Sequence, residues 1–391
     1  MTIELPLAPA ILSFDQRAAA AAEVASQHAA DVDAAARFPS EAVEALRRSG
    51  LLGASVPTAW GGEGASVSEL ARVAAILGEA CASTAMVFAM HHSQVLCVTR
   101  HTAGSEAVID LARRVATEGL LLASATTEIG IGGDVRSSTC FVDRDGDRAR
   151  VGKNAPVISY GEQADMILVT ARRDADSAPS DQVLVACLRS EVSLERTGTW
   201  DTLGLRGTSS FGYQLAADVP AEHVFPTAYD EISTETMLPV SHILWASVWL
   251  GMARAAADTA RASVRAAARK AIGTVPPAAT ALVGLVAEVG QLQTLVDSAA
   301  CDFDAIADDR DALGAVDFAI RMNTLKVLAA NAVADCAARA LSITGIAGFR
   351  NDGPLSVARI FRDAQGAAVM VHNDRITANT AQLLLVSKGT R

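Results

Sequence analysis

The apolar residues change their period twice along this chain, and that double change limits the fold more than any other feature. Up to about Glu118 they recur at helical spacing, over residues 18–30, 40–48, 68–81 and 85–98. Phe38-Pro39-Ser40-Glu41 is a helix-start signal, and Ser49-Gly50-Leu51-Leu52-Gly53 is a stop. From about 120 to 226 the pattern breaks into short runs bounded by Gly, Asp, Asn or Pro: 120–125, 139–142, 166–171, 183–188 and 213–216. That is strand punctuation, and Asp145-Gly146 between two of the runs is a hairpin signal. From about Ser233 the helical period returns over 240–269, 278–307, 312–344 and 355–387, as in a four-helix bundle. The expected fold is therefore α+β and mostly α. It comprises an N-terminal helical domain (1–118), a central antiparallel β domain (119–228) and a C-terminal four-helix bundle (229–391).

Composition narrows the function classes. Half of the 391 residues are hydrophobic and 20% are charged, which excludes a largely disordered chain. The net charge of −11 gives no general attraction to phosphate backbones or anionic lipid, so nucleic acid is not an expected partner. The six cysteines form no Cys-x-x-Cys pair and no zinc spacing with His, so no metal is expected and they read as buried thiols. Met1-Thr2-Ile3-Glu4 lacks the basic and apolar regions of a signal peptide. The most apolar stretch, 243–257, is too short to span a bilayer. The expectation is a cytoplasmic protein without membrane insertion.

Generic catalytic signatures are missing: there is no Gly-x-Ser-x-Gly, no His-Glu-x-x-His and no Walker loop. Gly130, Gly132 and Gly133 do not complete Gly-x-Gly-x-x-Gly and stand in a β segment, so they suit a turn that lets backbone approach a ligand. The joints carry a more specific series of words. These are Phe38-Pro39, Gly50-Leu51-Leu52-Gly53 and Trp60-Gly61-Gly62-Glu63-Gly64, then Thr127-Glu128-Ile129-Gly130-Ile131-Gly132-Gly133-Asp134. Val157-Ile158-Ser159-Tyr160-Gly161, Leu203-Gly204-Leu205-Arg206-Gly207-Thr208, Gly345-Ile346-Ala347-Gly348-Phe349 and Arg362-Asp363-Ala364 follow. In this order, over nearly the whole chain, they resemble the acyl-CoA dehydrogenase superfamily.

The resemblance implies an FAD enzyme with the flavin ring between the β domain and the bundle. It implies that Thr127 and Ser159 hydrogen-bond the ring, with Gly132 also at the cofactor and Gly133 and Arg206 toward the substrate. Without a flavin, the two hydroxyls would simply cap turns. It further implies a homo-oligomer, tetramer or dimer, and an electron-acceptor flavoprotein or a flavin reductase as partner.

Two departures bear on the chemistry. A typical member removes the α-proton of an acyl thioester with a glutamate while the flavin takes the β-hydrogen as hydride. The commonest place for that base, nine residues after the Arg-Asp word, holds Val371, followed by His372-Asn373-Asp374; no glutamate occurs after Glu288. The other family place, early in the first bundle helix, holds Ser241-His242-Ile243-Leu244-Trp245. The family's Gly-Ser-Asp loop is here Gly132-Gly133-Asp134, with Arg136 close behind.

The first expectation is oxidation of a CH–CH bond in an acyl thioester, carried by CoA or a carrier protein, with His372 or Asp374 as the base. The alternative is a flavin-dependent monooxygenase of the same fold, using reduced flavin and oxygen. A third reading is a member that has lost catalysis and acts as a binding subunit.

Overall fold

The computed structural model describes residues 12–131, 134–270, 273–387 and 389. The chain opens with helices α1 (Phe14–Ala35), α2 (Ser40–Arg48), α3 (Val67–Ala80), α4 (Ala82–Arg100) and α5 (Glu106–Glu118). Their starts are written locally. Ser13 with Gln16 and Ser66 with Glu69 form reciprocal capping boxes at α1 and α3. α4 is buried around nearly its whole circumference, so it runs through the interior with α3 and α7 packed on it.

Strands follow: β1 (Leu122–Ala125), β2 (Val142–Asp145), β3 (Arg148–Ile158), β4 (Met166–Arg172), β5 (Gln182–Leu188), β6 (Val192–Arg196), β7 (Phe211–Pro220) and β8 (Val224–Ala228). Among the described residues they form two four-stranded sheets, ordered β1-β4-β5-β8 and β2-β3-β7-β6. The Asp145-Gly146 signal marks the β2–β3 hairpin, with Asp145 opposite Arg148 and Gly146 at φ +60°. The pairing is antiparallel except for β1 with β4, which is parallel. That departs from a purely antiparallel expectation, and the chain between them crosses to the other sheet to make it possible. Arg47 on α2 ties the helical layer to the sheets. It donates to the Gly119 carbonyl at 3.0 Å and to Asp165 at 2.9 Å, and Asp165 also accepts the Leu121 N–H.

The C-terminal part is α6 (Tyr229–Ile232), a π-helical turn (Ser233–Met237), α7 (Leu238–Lys270), α8 (Ala278–Ala305), α9 (Arg310–Leu313), α10 (Val316–Thr344), α11 (Ile346–Phe349), α12 (Ala358–Val369) and α13 (Asn373–Val386). Together these layers follow the helical, central-sheet and helical order expected from the sequence. The fourth long bundle helix expected from the sequence is instead two helices, α12 and α13, broken at 370–372. The apolar run 243–257 lies within a continuous helical stretch, Tyr229–Lys270, so its length is corrected upward. By length and composition alone that stretch, α8 and α10 are each long and apolar enough to cross a membrane. The apolar window of the first is 89% buried inside the fold, against 17% for α8. Of the cysteines, Cys81, Cys97, Cys187 and Cys336 are buried, Cys140 is half-buried and Cys301 is exposed, so the expectation of buried thiols fails for Cys301.

Candidate functional site

β3 ends at Ile158 and the chain turns through Ser159 and Tyr160, whose backbone sits at φ +41°. The Tyr160 N–H donates to the Thr208 carbonyl at 2.9 Å, and its buried phenol donates to the Leu122 carbonyl at 3.0 Å. Against this turn lies a second one, 204–210, in which Leu205 (φ +51°) and Ser209 (φ +46°) are also left-handed. Three non-glycine residues in that region, in two touching turns, mark a place where the fold holds strained backbone. Such strain clusters at ligand sites.

The two turns share a chain of hydroxyls. Thr208 Oγ1 donates to the Leu205 carbonyl at 2.9 Å, so its proton is committed. Ser210 Oγ lies 2.8 Å from Thr208 Oγ1, and Ser159 Oγ lies 2.8 Å from Ser210 Oγ. A carbonyl only accepts, so the protons run one way: Ser159 donates to Ser210, and Ser210 to Thr208. Half-buried Ser159 then presents lone pairs outward. An outward acceptor of this kind can take a hydrogen from a ligand N–H or O–H. Thr127 Oγ1 donates to the Val157 carbonyl at 3.0 Å, which joins the loop after β1 to the same end of β3. The structure therefore places Thr127 and Ser159 at one end of β3. Gly132 and Gly133 lie outside the described residues.

Buried charge holds the Thr127 loop. Glu128 accepts from the Thr139 and Cys140 backbones at 3.2 and 2.8 Å and pairs with buried Lys153 at 3.7 Å. Lys153 also donates to the carbonyl and hydroxyl of Thr170 at 2.7 and 2.9 Å. Burial depresses the Lys153 pKa, while Thr139, Lys153 and the two backbone donors overcome burial and lower that of Glu128.

The Leu205 turn is fixed from the bundle side. Asp363 on α12 accepts the Leu205 N–H at 2.6 Å; it is 4% exposed, and burial pushes its carboxyl up to about 6. Arg362 pairs with Asp33 of α1. Arg206 spends its fork on the Asp33 and Thr202 carbonyls and on Asp201, so it closes the end of α1. Arg136 is exposed and pairs with Asp134. A Cβ on Gly204 would lie 2.3 Å from the Arg362 carbonyl oxygen, a backbone atom that cannot swing away. Gly204→Ala is expected to cost about 2–3 kcal/mol in thermal unfolding and to weaken flavin retention. Unchanged Tm and flavin content would refute this role for the turn.

His372 and Asp374 stand elsewhere in the fold, at the start of α13. His372 caps that helix, accepting from the Asp374 N–H at 3.4 Å, and the two side chains are 59% and 93% exposed. Val371, the place of the usual base, has φ +48° and gives its carbonyl to Lys326 of α10 at 2.8 Å. Lys326 is fully buried and also donates to the Ala367 carbonyl at 3.0 Å and to Asn373 Oδ1 at 2.7 Å. Sequence reasoning missed Lys326; a lone lysine inside an apolar α10 pattern was its only signal.

The remaining histidines are mostly structural. His91 bonds the Leu52 carbonyl and the Leu122 N–H, and His92 bonds the Leu51 carbonyl and Ser55, which pins α4 to the 51–53 turn and β1. His101, Glu231 and Glu235 bring ligand atoms within 4.8 Å of one another. Arg310 pairs with both carboxylates there, so the cluster is an ion-pair network.

Models of the acyl-CoA dehydrogenase N-terminal and C-terminal domains match residues 14–112 and 232–379. The chain belongs to the acyl-CoA dehydrogenase superfamily. The L-evernosamine nitrososynthase of a Micromonospora strain is 27% identical over 94% of this chain and 88% of its own length. The cyclohex-1-ene-1-carbonyl-CoA dehydrogenase of Geobacter metallireducens is 25% identical over 94% and 95%. Among solved structures, FMN-bound TdsC of Paenibacillus sp. A11-2 superposes with a TM-score of 0.83 at 19% identity, covering 95% of this chain and 97% of that one. This acyl-CoA dehydrogenase relative is thus an enzyme of a fold whose neighbours bind flavin. In this chain the hydroxyl chain and the strained turns lie in the β domain, with Thr127 and Ser159 at one end of β3.

Proposed function

We propose that the protein is a flavin-dependent monooxygenase of the acyl-CoA dehydrogenase fold, acting on a small molecule with reduced flavin supplied by a reductase. The observation that carries this reading is the state of the two base positions. At one, Val371 turns its carbonyl into Lys326, and at the other stands a neutral histidine, so neither position carries the carboxylate that would take a carbon-bound proton. Bound reduced flavin supplies the electrons for oxygen chemistry. Ser159 orients the ring through its free lone pairs, and the Leu205 turn, held by Asp363, fixes the hydroxyls behind it. The nitrososynthase relative and the FMN-bound neighbour support the same reading.

A second reading, oxidation of an acyl thioester with His372 or Asp374 as base, has the cyclohexenecarbonyl-CoA dehydrogenase relative in its favour. One experiment separates them. Under the proposal, the purified protein consumes oxygen only with a reductase and FMN or FAD, and anaerobic acyl-CoA esters do not bleach its flavin. Bleaching by a thioester would replace the proposal with the second reading. Cofactor extraction from the same preparation identifies the flavin, FAD being the sequence expectation.

The assembly we propose is a dimer or tetramer in the cytoplasm. Val283 of α8, Ile346 and Phe349 of α11 and Leu385 of α13 are between 68% and 86% exposed, large apolar side chains that a subunit interface would cover. Light scattering is expected to give at least twice the 40.5 kDa of one chain; a monomer would refute this.

A further inference from the structure

Helix α7 carries His242, Trp245 and Trp249 at i, i+3 and i+7, on one stripe. Each has a buried polar atom without a hydrogen-bond partner among the described residues: His242 Nε2, Trp245 Nε1 and Trp249 Nε1. Buried polar atoms are nearly always bonded, so three on one stripe need an explanation. The stripe faces α10. His242 Nδ1 lies 3.1 Å from the Met322 carbonyl, and the Lys326 ammonium sits 5.7 Å from the centre of the Trp249 ring.

The tautomer follows from the Met322 contact. A carbonyl cannot donate, so Nδ1 carries the ring proton and Nε2 is a bare lone pair. His242 is 2% exposed, and burial beside Lys326 keeps its imidazole neutral. Its ring centre is 5.9 Å from that of half-buried Trp245. Nε2 is an acceptor and the Trp245 indole N–H a donor, and a hydroxyl or amino group carries the complement of each. The stripe is connected to the proposed site through the bundle. Lys326 links it to the α12–α13 break, and α12 holds the Leu205 turn through Asp363.

We propose that His242 is a specificity-determining hydrogen-bond acceptor, taking an N–H or O–H hydrogen of the substrate while the Trp245 indole N–H donates to the same group. The substrate class is then a small amine or alcohol. The inference rests on the flavin-enzyme reading only in calling that ligand the substrate; binding itself is independent of it.

The test uses matched probes on the flavin-loaded protein, with Kd read from tryptophan fluorescence: indole and 1-methylindole, phenol and anisole, aniline and N,N-dimethylaniline. In the wild type, at least one donor-bearing probe is expected to bind about 10-fold tighter than its methylated counterpart, the worth of one hydrogen bond. In His242→Phe that ratio falls to about 1. His242→Asn, whose amide still faces the Met322 carbonyl but offers nothing at the Nε2 position, gives the same loss and serves if the phenylalanine variant fails to fold. No discrimination in any wild-type pair, or discrimination that survives both variants, overturns the proposal. Flavin content is read separately from absorbance. A protein that discriminates the probes but holds no flavin keeps this inference and sinks the flavin reading.

Discussion

Replacing Lys326 with methionine is expected to lower Tm by on the order of 5 °C and to open the α12–α13 break to hydrogen exchange. The ammonium has three donors, and each meets an acceptor: the Ala367 carbonyl at the end of α12, the Val371 carbonyl in the break and Asn373 Oδ1 at the start of α13. Methionine fills similar volume but donates nothing, so the buried Ala367 carbonyl and the part-buried acceptors at 371 and 373 all lose their partner. An unsatisfied buried acceptor costs about 1–3 kcal/mol. Part of that is returned, because the lysine is itself held at a desolvation cost that lowers its pKa to about 8. The net loss expected is about 3 kcal/mol. Val371 at φ +48° is strained for a β-branched residue, and the Lys326 bond to its carbonyl helps hold that turn. Exchange should therefore rise at 367–375 well before it rises in α7. Uniform protection with an unchanged Tm would mean that Lys326 fills space and does not pin the break.

The same lysine shows where the sequence stops being legible. The order helix, sheet, helix follows from changes of period, and the β2–β3 hairpin from one dipeptide, because both are local signals. The break at 370–372 has no proline and no glycine in it, so a continuous helix is the natural local reading. The groups at the break are held by an ammonium from α10, 41 to 47 residues away in the chain. β3 was hidden for a related reason. It alternates inward and outward, but its inward residues include Ala149, Lys153 and Ala155, and a buried lysine among small residues gives no apolar alternation. Lys153 is tolerated there only because Glu128 and Thr170 come from other parts of the chain. Thr127 and Ser159 stand in words resembling the family, and the structure brings both to one end of β3. The direction of the hydroxyl chain was not legible, since it depends on Thr208 and Ser210 facing Ser159 across two turns. His242 was visible beside the tryptophans, but its free nitrogen is a property of the α7–α10 packing.

Acid should destabilise this protein well before most carboxylates are protonated. Burial lowers the pKa of His91, His101 and His242 to about 4, and lowers that of His92 as well, against an ordinary value of 6.5. A group with a depressed folded pKa contributes stability above its unfolded pKa, and that contribution is lost as pH falls toward the folded value. The unfolded chain takes up protons on these rings from about pH 6.5 downward, while the folded chain refuses them until about pH 4. For one ring the full loss across that window is about 3 kcal/mol. Asp363 works the other way: its carboxyl is raised to about 6, so it takes its proton in the folded state first and returns about 3 kcal/mol as pH falls from 6 to below 4. One aspartate offsets roughly one histidine, and the balance remains a loss. Apparent Tm is expected to drop steadily from pH 6.5 to 4.5. His91→Asn removes one ring and its bonds to Leu52 and Leu122, so it should be less stable at pH 7.5 yet show a shallower fall. A wild-type Tm that is flat over this interval, or a variant with an unchanged slope, would show that these imidazoles accept protons without leaving the core.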